Sequence, residues 1–152
     1  MGLIDDLPPG PVAVDTAPFI YFAEDHPRWA PLIAPLFAAA DRGEVQLVTS
    51  EVTLLEVLVA PLRRGDAHLA ERYETLLSRS RGLTLVPLGR TIFKAAAQLR
   101  ASYPIRVPDA LQVAAALAHE CRALITNDRR LPPIPGLRVI QLAEYHPGRA
   151  EG

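Results

Sequence analysis

Pro108-Asp-Ala-Leu-Gln-Val-Ala-Ala-Ala-Leu-Ala-His119, followed after three residues by Ala123-Leu-Ile-Thr-Asn-Asp128, is the stretch whose reading decides the fold. Proline suits the first turn of a helix, so a helix is expected from Pro108 to about His119. Ala123 to Thr126 reads as a buried strand that stops at Asn127-Asp128, a turn-forming pair. Leu137-Arg-Val-Ile140 follows as the last strand.

Upstream the same alternation repeats. An alanine-rich helix is expected from Thr91 to Ala101, a strand from Leu83 to Pro87, and an amphipathic helix from Asp66 to Ser80. On that helix Leu69, Tyr73, Leu76 and Leu77 form a stripe that serves either the core or a partner. Before it, Ser50 caps a helix with Val52, Leu55, Val59 and Leu62 on one stripe, and Glu44 to Thr49 alternates like a strand. Trp29, Leu32, Ile33, Leu36 and Phe37 give Pro27 to Asp41 a helical period, made irregular by Pro31 and Pro35. Ala17 to Phe22 reads as a first helix, and Pro11-Val-Ala-Val14 as a first buried strand with Asp15 at its end. Strands alternating with helices predict an α/β sandwich around a mostly parallel sheet, since parallel neighbours need crossover connections.

Length and composition agree with one folded unit over residues 1–152, with residues 1–10 and 146–152 as flexible ends. The 152 residues are 49% hydrophobic and 22% charged, and 16 Lys and Arg against 17 Asp and Glu leave a net charge of -1. The chain is therefore no general polycation, and any nucleic-acid site must be local. Lys94 is the only lysine, which excludes a phosphate loop of the Walker A kind elsewhere, and no G-x-G-x-x-G pattern is present. Cys121, the only cysteine, excludes an internal disulfide and a cysteine-built zinc cage. The acidic, proline-broken N-terminus is unlike a signal peptide and no apolar run is long enough to span a membrane, so the expected location is the cytoplasm.

In open α/β sheets, functional side chains collect beyond the carboxyl ends of strands and at the helix starts they feed. Three acids meet that rule: Asp15 after the first strand, Asp128 after the strand 123–126, and Asp109 in the first turn of the helix between. Glu56, on the helix after the second strand, is a fourth. Each alone has an ordinary reading, as a cap, a dipole partner, an Asx turn or a solvated charge. Together they would repel one another unless their pKa values rise or a cation neutralises them. An all-oxygen donor set selects a hard divalent ion, Mg2+ or Mn2+, and such a site suits attack on a phosphodiester.

The residues resemble the PIN-domain ribonucleases, and most closely the VapC-type toxins of toxin–antitoxin modules. The likeness rests on Val12-Ala-Val-Asp15-Thr16, Thr49-Ser-Glu-Val-Thr-Leu-Leu-Glu56, Pro108-Asp109-Ala-Leu-Gln-Val-Ala-Ala-Ala and Ile125-Thr-Asn-Asp128-Arg-Arg-Leu131, and spans nearly the whole chain. It implies a single PIN-like domain, a three-layer α/β/α sandwich, and a Mg2+-dependent endoribonuclease in which Asp15, Glu56, Asp109 and Asp128 are catalytic and bind the metal. Thr16 and Thr126 would support them by orienting a carboxylate or a water. The resemblance also implies an RNA substrate, a small cognate antitoxin as partner, and a homodimer. One feature of the sequence disagrees: on a helical wheel of residues 51–62, Glu51 lies nearer the apolar stripe than Glu56. The family pattern selects Glu56, and Glu51 has its own role as a first-turn acid.

Arg63, Arg64, Arg79, Arg81, Arg106, Arg129 and Arg130 fall in loops or near helix ends. Arg106, Arg129 and Arg130 are the expected RNA phosphate contacts, because arginine bonds phosphate bidentately without reading sequence. The four histidines show no ligand spacing, and Tyr21, Phe22 and Trp29 read as packing residues. Two other readings of the acids remain: a free-standing PIN nuclease in RNA processing or turnover, and a PIN-like binding module without catalysis. A phosphoacceptor receiver domain needs a lysine near the last strand, and Lys94 is in the wrong place for it.

Overall fold

Val12–Val14 (β1) is wholly buried and lies at the centre of a five-stranded sheet. The remaining elements follow in the order α1 (Thr16–Ala23), α2 (Ala30–Asp41), β2 (Leu47–Ser50), α3 (Glu51–Arg64), α4 (Ala67–Arg79), β3 (Leu83–Val86), α5 (Arg90–Ser102), α6 (Val107–Ala118), β4 (Ala123–Thr126) and β5 (Arg138–Gln141). Short 3-10 turns cover Ile4–Asp6 and Leu142–Tyr145. The computed structural model describes residues 2–145. Among these residues no helix is long and apolar enough to cross a membrane.

The strands run β3-β2-β1-β4-β5 and every neighbouring pair is parallel, so this is the parallel α/β sheet that the sequence predicts. Alternate strand residues feed two cores. Val12, Val14, Leu47, Ile125 and Ile140 pack with Phe19, Ile33, Leu36, Tyr73 and Leu77 of α1, α2 and α4. Ala13, Val48, Val86 and Leu124 pack with Ile92 and Ala96 of α5 and Ala110, Val113 and Ala114 of α6. Burial on both faces explains why β1 and β4 read as apolar runs rather than as alternating ones.

Order and connectivity place the site. From β1 the chain moves outward through β2 to β3, then returns past β1 to β4, so direction reverses between β1 and β4. The crevice beyond the carboxyl ends of these two strands is the switch point where parallel sheets bind ligands. Pairing of Val14 with Ile125 and the bond from Asp15 N to Ile125 O, 2.9 Å, bring Asp15 alongside the end of β4.

Several local expectations are corrected. Strand β2 starts at Leu47, not Glu44, because α2 ends in a left-handed Gly43 (φ 78°), with Glu44 N bonded to Ala39 O and Gly43 N to Ala40 O. Helix α2 starts at Ala30, since His26 Nδ1 accepts from the amides of Arg28 and Trp29 and makes a separate turn of 26–29. Pro31 then falls in its first turn and only Pro35 lies inside.

The largest correction concerns α3. Its core stripe is Val52, Thr53, Val57 and Pro61, whereas Leu55, Val59 and Leu62 are 66%, 40% and 65% exposed. The helix carries two apolar stripes, and periodicity alone does not say which one meets the sheet. On α4, by contrast, Leu69, Tyr73 and Leu77 are buried in the core. Of the two ends expected to be loose, residues 146–152 lie outside the described residues, while Leu3 is buried in the core and Arg138 Nη1 donates to Asp6 O.

Candidate active site

Asp15 follows β1 directly and caps α1: its Oδ1 accepts the Thr16 amide at 2.8 Å. Its Oδ2 accepts the Thr126 hydroxyl at 2.8 Å, and Thr126 Oγ1 in turn accepts the amide of Asp128 at 3.0 Å. Both carboxylate oxygens are thus fixed, one by the start of a helix and one by the end of β4. Burial raises the Asp15 carboxyl above its ordinary value, the charges of Asp109 and Asp128 add to the rise, and the bonds from Thr126 and Thr16 oppose it.

Asp109 stands in the first turn of α6, two residues beyond the helix start. Asp128 lies two residues past β4, where its Oδ1 accepts the Arg130 amide at 2.9 Å in an Asx turn. Glu56 lies on α3 one turn after the buried Thr53, and its Oε1 accepts the Thr16 hydroxyl at 2.6 Å. Asp15, Glu56, Asp109 and Asp128 line one open polar depression of about 390 Å³, together with Thr16, Tyr21, Arg106, Asn127 and Arg130. Glu51 is not part of it, and its Oε1 accepts the amide of Leu88 instead. The wheel placed Glu51 beside Leu55 and Leu62, which is the exposed stripe and not the core one.

Two arginines complete the electrostatics. Arg106 bridges two acids, Nε on Asp109 Oδ2 at 3.0 Å and Nη2 on Asp128 Oδ2 at 3.1 Å. Arg130 binds Asp128 through Nε at 3.1 Å and Nη2 at 3.2 Å, and this lowers the Asp128 carboxyl below its ordinary range. Both guanidinium groups are largely exposed, so they are held loosely. Arg129 is exposed and does not line the depression.

The donor set has the chemistry of a hard divalent ion, with acidic oxygens only and two hydroxyls behind them. The carboxylates do not close on a common point: among the described residues no three His, Cys, Asp or Glu side chains are grouped to hold a metal. Arg106 takes the bridging position between Asp109 and Asp128. Cys121 offers no rival chemistry, since it is buried and its thiol is pushed up to about 11.

Behind the acids is a polar cluster that sequence reading missed. Thr49, Ser50, Thr53 and Gln112 are each no more than 5% exposed and are hydrogen-bonded to one another. Ser50 reads only as a cap, and Gln112 sits in an alanine-rich run; neither carries a signal of its own.

Comparison with known proteins adds the family. The PIN domain family model matches residues 12–137. By sequence, none of the curated proteins is a significant match. Among solved structures, DNA-bound VapBC from Salmonella typhimurium is similar with a TM-score of 0.68 and 20% identity, over 86% of this chain and 97% of that one. A toxin–antitoxin complex from Klebsiella pneumoniae gives 0.64 and 24%, over 83% and 94%. VapC20 from Mycobacterium tuberculosis, a sarcin–ricin-loop-cleaving toxin, gives 0.61 and 14%, over 74% and 86%. At these identities the likeness is one of fold.

Proposed function

The chain belongs to the PIN-domain family, and from that premise we propose that it is a metal-dependent endoribonuclease, the toxin of a VapBC-type toxin–antitoxin pair. The observation that carries the reading is the gathering of Asp15, Glu56, Asp109 and Asp128 around one open depression at the switch point of a parallel sheet. The toxin–antitoxin complexes and the RNA-cleaving toxin among its structural relatives support it.

The four carboxylates would hold Mg2+, or Mn2+ in its place. Bound there, the ion would supply Lewis acidity toward a phosphodiester and ease deprotonation of water. The chain's own part is placement. Thr126 and the start of α1 fix Asp15, Thr16 fixes Glu56, and Arg106 and Arg130 hold Asp109 and Asp128. An RNA phosphate competes with these carboxylates for the two exposed guanidinium groups, which bond it as readily. Arg106 leaving Asp109, and both arginines leaving Asp128, would free two acids for the ion and bring cations to the substrate backbone. Arg129, next to Asp128 in the chain and exposed, would add a phosphate contact without reading sequence.

An antitoxin segment would seat in the groove lined by Phe22, Arg72, Leu76 and Arg79, between the end of α1 and α4. The exposed Leu55, Val59 and Leu62 give α3 the apolar surface for a homodimer. The setting is cytoplasmic.

The test is incubation of purified protein with a panel of structured RNAs in Mg2+, in Mn2+ and in EDTA. Cleavage is expected in both metals and in neither case after chelation. Cleavage that survives EDTA, or intact RNA throughout, contradicts the reading.

A further inference from the structure

Gln112 lies three residues beyond Asp109 on α6 and is 5% exposed among Ala110, Val113 and Ala114. A primary amide in such a place costs stability unless its hydrogen-bonding groups are met. They are met, and in one orientation only. Ser50 presents a backbone N–H, which can only donate, 3.3 Å from one end of the amide, so that end is the oxygen. Ser50 Oγ donates to the same oxygen at 2.7 Å.

The other end must then be the nitrogen. Its two hydrogens go to Thr53 Oγ1 at 2.7 Å and toward Thr16 Oγ1 at 3.4 Å. Thr16 has one proton to give and faces a carboxylate, which when ionised can only accept. It therefore donates to Glu56 and accepts from Gln112, and toward Thr53, whose hydroxyl is 3.2 Å away, it can only accept. Thr49 Oγ1, 2.7 Å from Thr53, closes the chain from behind. The protons of Ser50, Gln112 and Thr16 thus point one way, from the amide of Ser50 at the end of β2 to the carboxylate on α3, while the single proton of Thr53 goes to Thr16 or to Thr49.

We propose that Gln112 is a positioning residue for Glu56: by donating to Thr53 and Thr16 it obliges the Thr16 hydroxyl to point at the Glu56 carboxylate, and so holds that exposed side chain at the site. This rests on the reading of Glu56 given above. Glu56 sits on the exposed part of α3, where a glutamate would otherwise spread over several rotamers. Without the amide, Thr16 and Thr53 can satisfy each other, and Glu56 loses its anchor.

The hydrogen bonds can be read without any assay of activity. In the wild-type protein, NMR is expected to show a slowly exchanging Thr16 hydroxyl proton with cross-relaxation to the Gln112 side-chain amide. In Gln112→Leu that proton should vanish into exchange, and the Glu56 carboxyl carbon, assigned by its loss in Glu56→Gln, should shift. RNA cleavage in Mg2+ should fall roughly 10- to 100-fold in kcat with KM unchanged, the usual effect of losing a group that orients a ligand. Thr16→Val should lose as much, and the double variant no more than either single one.

A Thr16 hydroxyl that exchanges freely in the wild type, a Glu56 carbon unmoved in Gln112→Leu, or losses that multiply in the double variant would each overturn the proposal. Gln112→Met serves if the leucine variant does not fold, since it keeps the unbranched shape of the side chain and has nothing to donate to Thr53. The same signals decide it. A purely structural role would lower the melting temperature and leave the Glu56 carbon where it was. Wild-type protein inert toward RNA in both metals would instead sink the nuclease reading, and the NMR comparison would still decide whether Gln112 directs Thr16.

Discussion

Asp15→Asn and Asp109→Asn each lose roughly a hundredfold or more of metal-dependent RNA cleavage, the scale seen when one preorganised electrostatic group is removed from an active site. The substitutions are near-isosteric, so the loss is one of charge. At Asp15 the asparagine oxygen still accepts the Thr16 amide and still caps α1, one of the favoured residues at that place. The central strand pairing is untouched, because Val14 and Ile125 remain partners beside it.

Stability moves the other way, and this separates chemistry from folding. Burial and two neighbouring carboxylates raise the Asp15 carboxyl above its ordinary value. A group raised in the folded state favours folding fully only below its unfolded pKa, and that contribution is lost as pH rises through the folded value. At neutral pH an ionised Asp15 therefore weighs against the native state, and Asp15→Asn removes the weight. In EDTA at pH 7 the variant should melt no lower than the wild type, and higher if repulsion dominates the lost bond from Thr126. Circular dichroism melts beside the cleavage assay check both halves. An inactive variant that also melts far below the wild type would show that Asp15 is structural.

Gly82→Ala is expected to cost about 3 kcal/mol, a sum of the left-handed backbone penalty and an overpacked contact. Gly82 has φ +72°, and a Cβ built there would lie 2.3 Å from the carbonyl oxygen of Ala40 and 2.8 Å from its carbon. Both partners are constrained. The Gly82 carbonyl accepts the amide of Leu47 at 2.7 Å, which starts the pairing of β3 with β2, and Ala40 is buried in the core at the last turn of α2. Relief must come by moving an edge strand or the end of a helix. Such a cost is a large part of a typical domain's 5–15 kcal/mol or so. A urea midpoint shift at unchanged slope measures it, and a change within about 0.5 kcal/mol would show that the turn yields freely. Cleavage per folded molecule should persist, since β3 lies two strands from β1 in the sheet order.

Strands β1 and β4 were legible because burial on both faces leaves little but apolar residues, as in Ala123-Leu-Ile, and because Asn127-Asp128 marks an end. Helix α3 was legible as a helix but not in its facing. Leu55, Val59 and Leu62 obey the period as well as Val57 and Pro61 do, and only the positions of α4, α1 and β2, against which the helix packs, decide between them. That error made Glu51 look central. The family pattern pointed to Glu56, and the depression includes Glu56 while Glu51 bonds the backbone at Leu88.

The acids themselves stood out by their places after strands. What joins them did not. Arg106 and Asp128 are far apart in sequence, so a bridge between Asp109 and Asp128 appears only once the start of α6 meets the turn after β4. Gln112, Thr53, Thr49 and Ser50 were hidden for a different reason: such residues in a sequence usually signify caps or surface, and their value here comes from three elements, β2, α3 and α6, meeting behind the carboxylates.

The central claim is that these carboxylates together take a divalent cation. Titration of metal-free protein with Mn2+, followed by the electron paramagnetic resonance of the unbound ion, tests it most directly. The account predicts saturable binding by the wild type, weakened at least about tenfold in Asp15→Asn and in Asp109→Asn. No binding by the wild type, or equal binding by all three proteins, would contradict it.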